Sequence, residues 1–126
     1  MQNALLKSFE NWKGTRYAFG GDSSRGIDCS ALTRRVYREV FSFELPRVTK
    51  DQIKVGRHVS RHNLKPGDIL YFRPDGKYNH TAVYLGNSLF INASSSKGVI
   101  LSSMEHSYWS KYFVHGVRVD TASANV

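Results

Sequence analysis

Apolar positions recur along this 126-residue chain with two different periods. In the first half the spacing is helical. Ala4, Leu5, Phe9 and Trp12 fall on one face, and Gly14 closes the run, so a short helix is predicted over residues 4–12. Thr15 to Phe19 reads as a brief extended segment, and Gly20 to Gly26 as a loop by composition. A second helix opens at Asp28, a residue type suited to capping. Cys29, Leu32, Val36 and Val40 then form one stripe, with Arg34, Arg35, Arg38 and Glu39 mostly elsewhere. Leu45-Pro46 stops that segment. Thr49-Lys50-Asp51-Gln52 has the form of a capping box and Gly56 suits a C′ position, which predicts a short helix over residues 50–55.

From Leu64 onward the pattern changes. Lys65-Pro66-Gly67-Asp68 and Arg73-Pro74-Asp75-Gly76-Lys77 are turns flanking the β-former run Ile69-Leu70-Tyr71-Phe72. Further strands are expected near residues 80–85, 89–93, 98–102 and 113–119, with a short helix or irregular crossover from Met104 to Lys111. Helices followed by strands predict an α+β domain over residues 1–119, with N-terminal helices packed on an antiparallel sheet of about five strands. Residues 120–126 lack anchoring bulk and are expected to fray as a flexible tail.

Composition narrows the function classes. No run approaches the ~20 apolar residues of a membrane span, so stable membrane insertion is not expected. The opening Met1 to Lys7 lacks the charged and apolar regions of a secretory leader; either one was removed or export uses a dedicated system. The single cysteine excludes an internal disulfide and an all-cysteine zinc site. The net charge of +8 suits a polyanionic partner, with nucleic acid, anionic lipid and cell wall all compatible. Asp22, Asp28, Asp68 and Asp75 form no paired-carboxylate signature, and His58 and His62, four apart beside a loop, make a poor metal site, so no metal is assigned.

Cys29 stands where the first turn of a helix leaves backbone N–H groups unpaired and the dipole favours a thiolate. A cysteine is more often a small buried hydrophobe, so it needs partners to count as a nucleophile. His80 begins one strand and Asn92 lies near the end of the next, flanking Gly86-Asn87. If the hairpin loop has odd length centred on Gly86, the two stand directly opposite on one face; a two-residue Gly86-Asn87 turn pairs His80 with Ala93 instead. In the first case His80 can serve as general base and Asn92 can orient its imidazole. The Cys29 N–H is a natural oxyanion donor, with Tyr17 a second candidate.

Several segments resemble the NlpC family of papain-like cell-wall cysteine peptidases. They are Arg16-Tyr17-Ala18-Phe19-Gly20-Gly21, Gly26-Ile27-Asp28-Cys29-Ser30, Leu45-Pro46-Arg47, Lys65 to Phe72, and His80-Thr81-Ala82-Val83-Tyr84-Leu85-Gly86. Order and spacing match over about residues 3–119, most nearly those of Spr-type murein endopeptidases. The resemblance implies a papain-like NlpC fold, Cys29 as nucleophile, His80 as base and Asn92 as the orienting residue. It also implies Tyr17 beside the nucleophile, Asp28, Ser30 and Arg47 near the substrate cleft, and no cofactor. Asn92 departs from the commoner pattern, a second histidine in that segment, and Ala31 replaces the usual glycine. The implied activity is hydrolysis of stem-peptide amide bonds in peptidoglycan, at the D-alanine to meso-diaminopimelate crosslink or, as in other members, after γ-D-glutamate. The chain is also similar to amidase effectors delivered by type VI secretion into a competitor's periplasm, which implies a cognate immunity protein as partner. The competing readings are a housekeeping endopeptidase, a lipid acyl transferase on the same scaffold, a non-catalytic wall-binding relic, and a non-catalytic basic module binding nucleic acid. The last is disfavoured by scattered lysines and arginines without interleaved aromatics.

Overall fold

A computed structural model describes residues 1–121. Helix α1 (Gln2–Trp12) buries Leu5, Phe9 and Trp12 against α2 (Cys29–Phe41), whose inner face carries Leu32, Val36 and Tyr37. Each such side chain contributes roughly 1.5–3 kcal/mol by leaving water. Polar ties fix the crossing: Glu39 of α2 accepts from Ser8 Oγ at 2.8 Å and from Trp12 Nε1 at 2.9 Å. Asp28 caps α2 by accepting from the Ala31 N–H at 2.8 Å.

The expected loop 20–26 holds a small hairpin, β1 (Asp22–Ser23) with β2 (Gly26–Ile27). Thr15 to Phe19 contributes no strand, only an isolated parallel bridge from Tyr17 to Ile27. Gly21 and Gly26 permit this crowding: a Cβ on Gly21 would sit 2.5 Å from the Gly26 carbonyl oxygen, and one on Gly26 2.5 Å from the Ala18 Cβ.

Helix α3 spans Thr49–Gln52, shorter than expected, and the anticipated capping box does not form. Val48 is the N-cap, and the Gln52 amide that would reach back to Thr49 is bonded elsewhere, to Ser30, Pro46 and Thr81. Gly56 is likewise no C′ residue. It enters β3 (Arg57–Val59), where a Cβ would lie 2.2 Å from the Arg118 carbonyl oxygen. That strand was not foreseen, and it brings the main sheet to six strands.

The others are β4 (Ile69–Phe72), β5 (His80–Gly86), β6 (Leu89–Ser94), β7 (Gly98–Ser103) and β8 (Phe113–Arg118), with α4 (Ser107–Tyr112) before β8. The order is β3-β8-β4-β5-β6-β7, antiparallel throughout. One face packs Ile69, Val83, Ile91 and Val117 against α1 and α2. The other buries Leu70, Phe72, Ala82, Phe90 and Met104 beneath Trp109 and Phe113. All four residues of β4 are buried, which explains its unbroken apolar run. Of the tail expected to fray, only Asp120 and Thr121 are among the described residues.

Candidate active site

Two structural halves meet at one end of the sheet. The first is the start of α2. The Tyr17–Ile27 bridge and the Asp28 cap set Cys29 at the first helical position, partly exposed and packed against the helix-side core. Asp28 does more than cap. Its carboxylate also accepts from Gly20 N–H at 3.0 Å, Ser30 Oγ at 3.2 Å, and Arg47 Nη1 and Nη2 at 3.1 and 3.0 Å. Arg47 Nη1 also donates to Ser30 Oγ at 2.9 Å. Asp28, Ser30 and Arg47 thus form one bonded unit beneath the cysteine. They line the cleft, yet the polar atoms of the Asp28 carboxylate are taken by the protein.

The second half is β5 and β6. Asn87 and Ser88 both have positive φ, 53° and 65°, as a two-residue type I′ turn requires. That turn alone pairs Gly86 with Leu89 and would swing Asn92 to the helix-facing side. A bulge between Tyr84 and Gly86 takes up one residue and resets the register to Tyr84 with Phe90 and Val83 with Ile91. Carried further, this places Asn92 across from Ala82 and diagonally adjacent to His80. Neither loop weighed from the sequence occurs: the turn is centred past Gly86, and His80 and Asn92 are not directly opposite. The shared face is right, because the bulge restores the parity that the turn would break.

The diagonal is short enough to close. His80 Nε2 lies 2.5 Å from Asn92 Oδ1, and Asn92 Nδ2 donates to Ser102 Oγ at 3.1 Å. An amide oxygen only accepts, so Nε2 carries the proton and Nδ1 is left for Cys29. The imidazole also stacks on Trp109 at 5.3 Å, which fixes its plane.

Burial pushes the Cys29 thiol up, but hydrogen bonding and charge from His80 and the Thr81 backbone outweigh it, and the net shift is downward. Burial pulls His80 down, while hydrogen bonding and charge from Cys29 and the Asn92 bond outweigh it, and its net shift is upward. Each favours its charged form in the presence of the other, the condition for a thiolate–imidazolium pair. Tyr17 is raised by burial first and then by the charges of Cys29 and Asp28, and it lines the same cleft as the nucleophile.

The cleft above the pair encloses about 980 Å³. Lys50 and Lys77 line it, as do Phe19 and Tyr78, whose exposed rings approach to 5.0 Å. Of the residues singled out from the sequence, Tyr17, Asp28, Cys29, Ser30, Arg47 and His80 line this cleft, and Asn92 stands behind His80 as its bonded partner. Ser102, Trp109 and Gln52 were not singled out. Ser102 and Trp109 come from β7 and α4, remote in sequence, and no motif marks them. Gln52 stood in an apparent capping box, a local signal that concealed a long-range one. Among the described residues no group of three or more histidine, cysteine, aspartate or glutamate side chains is placed to hold a metal ion. His58 instead stacks on His115 at 3.7 Å.

The sequence profile of the NlpC/P60 family matches residues 14–118. The chain belongs to the NlpC/P60 family. Among its relatives is the murein DD-endopeptidase MepS/murein LD-carboxypeptidase of Escherichia coli strain K12, 43% identical over 119 residues, covering 94% of this chain and 63% of that protein. Another is a probable endopeptidase NlpC homolog of Haemophilus influenzae, 43% identical over 116 residues, covering 92% and 62%. The chain thus spans somewhat under two thirds of these relatives' length. The NlpC/p60 domain of the peptidoglycan hydrolase SagA superposes with a TM-score of 0.80 at 28% identity, over 94% of this chain and 99% of that one. No helix among the described residues is long and apolar enough to cross a membrane.

Proposed function

We propose that this chain is a cysteine peptidase that hydrolyses stem-peptide amide bonds of peptidoglycan, at the D-alanine to meso-diaminopimelate crosslink. The observation that carries the reading is the continuous chain of contacts from Cys29 through His80 to Asn92 at the wall of an open cleft. The Cys29 thiolate attacks the scissile carbonyl carbon, and the oxyanion is met by the Cys29 N–H and the Tyr17 hydroxyl. His80 passes its proton to the leaving amine, then deprotonates the water that hydrolyses the thioester. Asn92 keeps Nδ1 aimed at sulfur throughout. Asp28 and Ser30 act by seating the cysteine. Arg47 does the same through Asp28, while Lys50 and Lys77 make the cleft attractive to stem-peptide carboxylates. The preference for the crosslink leans on the murein DD-endopeptidase among the relatives.

Mass analysis of meso-diaminopimelate sacculi digested with the protein tests both parts. Crosslinked dimers should convert to monomers, and Cys29→Ala should abolish the conversion. Products ending in γ-D-glutamate would move the cleavage site, and intact dimers with the wild type would leave a wall-binding module. The relatives named above are endopeptidases, which favours a housekeeping role, and nothing in their names speaks for an antibacterial effector with an immunity protein. Protection of a target cell by the product of an adjacent gene would distinguish the effector.

A further inference from the structure

Gln52 is wholly buried, and its amide bonds three separate segments of the chain. Nε2 donates to the Ser30 carbonyl at 2.8 Å and to the Pro46 carbonyl at 2.9 Å. Oε1 accepts from Thr81 Oγ1 at 2.9 Å. Two carbonyls on one side fix the amide's orientation, since only the nitrogen can serve both. The three partners are not arbitrary. Ser30 follows Cys29 on α2, Thr81 follows His80 on β5, and Pro46 leads into Arg47, which holds Asp28. The backbone of Thr81 itself touches the sulfur. Apart from the contact between the two reacting side chains, the Gln52 amide is a direct polar link between the residue after the nucleophile and the residue after the base.

We propose that Gln52 is a positioning residue that sets the distance between Cys29 and His80 by tying the start of α2 to the start of β5. This rests on reading those two residues as nucleophile and base. Without the amide, the buried Thr81 hydroxyl loses its acceptor, the Pro46 carbonyl loses its donor, and the Ser30 carbonyl keeps only its helical bond. The helix start and the strand are then free to part by a fraction of an ångström, and a displacement of about 1 Å at a reacting pair costs on the order of a hundredfold in rate.

The test uses two variants and a readout that needs no substrate. Thr81→Val cuts only the strand end of the tie at nearly constant shape, and Gln52→Met removes it whole. The alkylation rate of Cys29 by iodoacetamide is followed against pH, alongside thermal melting and kcat and KM on crosslinked muropeptide. In both variants the acid limb of the alkylation profile should move up toward that of an ordinary thiol. The value of kcat should fall about tenfold or more with KM little changed. The shift should be smaller in Thr81→Val, which retains the Ser30 and Pro46 bonds. A lowered melting temperature with an unmoved alkylation profile in Thr81→Val overturns the proposal and leaves Gln52 a structural residue, whether or not Gln52→Met folds. Because alkylation does not depend on peptidoglycan, a wild type inactive on sacculi would refute the proposed function while leaving this test intact.

Discussion

At Cys29 the opposing influences can be separated by a single substitution. Burial raises the thiol, and His80 together with the Thr81 backbone more than offsets it, so removing His80 leaves burial opposed by the Thr81 bond alone. His80→Ala should therefore move the pH midpoint of iodoacetamide alkylation upward, beyond the ordinary thiol value of about 8.5, while the wild type titrates below it. The same signs set the activity profile. The rate rises as Cys29 loses its proton, below the usual thiol range. It falls as His80 loses its proton, above the usual imidazole range, because that proton goes to the leaving amine. A bell whose rising limb sits at the ordinary cysteine pKa would contradict the pairing. Asn92 is tested by shape. Asn92→Ala frees the ring to rotate and should cost roughly a hundredfold in kcat. Asn92→His, the residue type commoner in the family at this segment, should retain activity within about tenfold. An Asn92→Ala variant as active as the wild type would mean that Nε2 needs no partner.

Among the elements, the start of α2 depends most on one side chain. Asp28 accepts from the Ala31 N–H, the Gly20 N–H and both terminal nitrogens of Arg47, so it caps the helix and pins the preceding loop at once. Asp28→Ala should lower stability by about 2 kcal/mol, the upper end for a lost cap, because the Arg47 guanidinium also loses its partner. Asp28→Asn keeps an oxygen for the Ala31 N–H and should lose less than half as much in urea unfolding; equal losses would show that the charge, not the cap, matters. This helix was legible from sequence because its signals are local: a capping residue, a stripe at helical spacing and a proline beyond its end. The strands of the second half were legible for the same reason, since β-formers between turns need no partner to be recognised. The β5–β6 register was not, because it is settled by a bulge at Leu85 that compensates the Asn87-Ser88 turn, and parity alone could be inferred. Strand β3 was missed because three residues with two of them exposed carry no periodicity; its pairing with β8 makes it a strand. The cysteine, histidine and asparagine were found by their chemistry. Gln52, Ser102 and Trp109 act only through contacts that folding creates.

For the molecule as a whole, the question is what a net charge of +8 does for the proposed action on the cell wall. Several arginines are already committed to carboxylates within the fold: Arg34 and Arg35 to Asp22, Arg38 to Glu44, Arg47 to Asp28 and Arg118 to Asp68. Lys50 and Lys77 in the cleft have no carboxylate among those ion pairs, and they face the space where stem peptides would lie. A sacculus presents carboxylates as a dense array, whereas a short muropeptide in solution presents only a few. Steering toward an array is long-ranged and screened beyond about 10 Å at 0.1 M salt; contact in the cleft is screened much less. Raising salt should therefore slow digestion of sacculi several-fold at limiting enzyme, through weaker association. The value of kcat on a short crosslinked muropeptide should change little. Lys50→Gln with Lys77→Gln should raise KM on the short substrate and leave most of the salt dependence on sacculi in place, since that dependence belongs to the whole surface. If the double variant removed the salt dependence entirely, the attraction would reside in the cleft, and the remaining positive charge would have no part in wall binding.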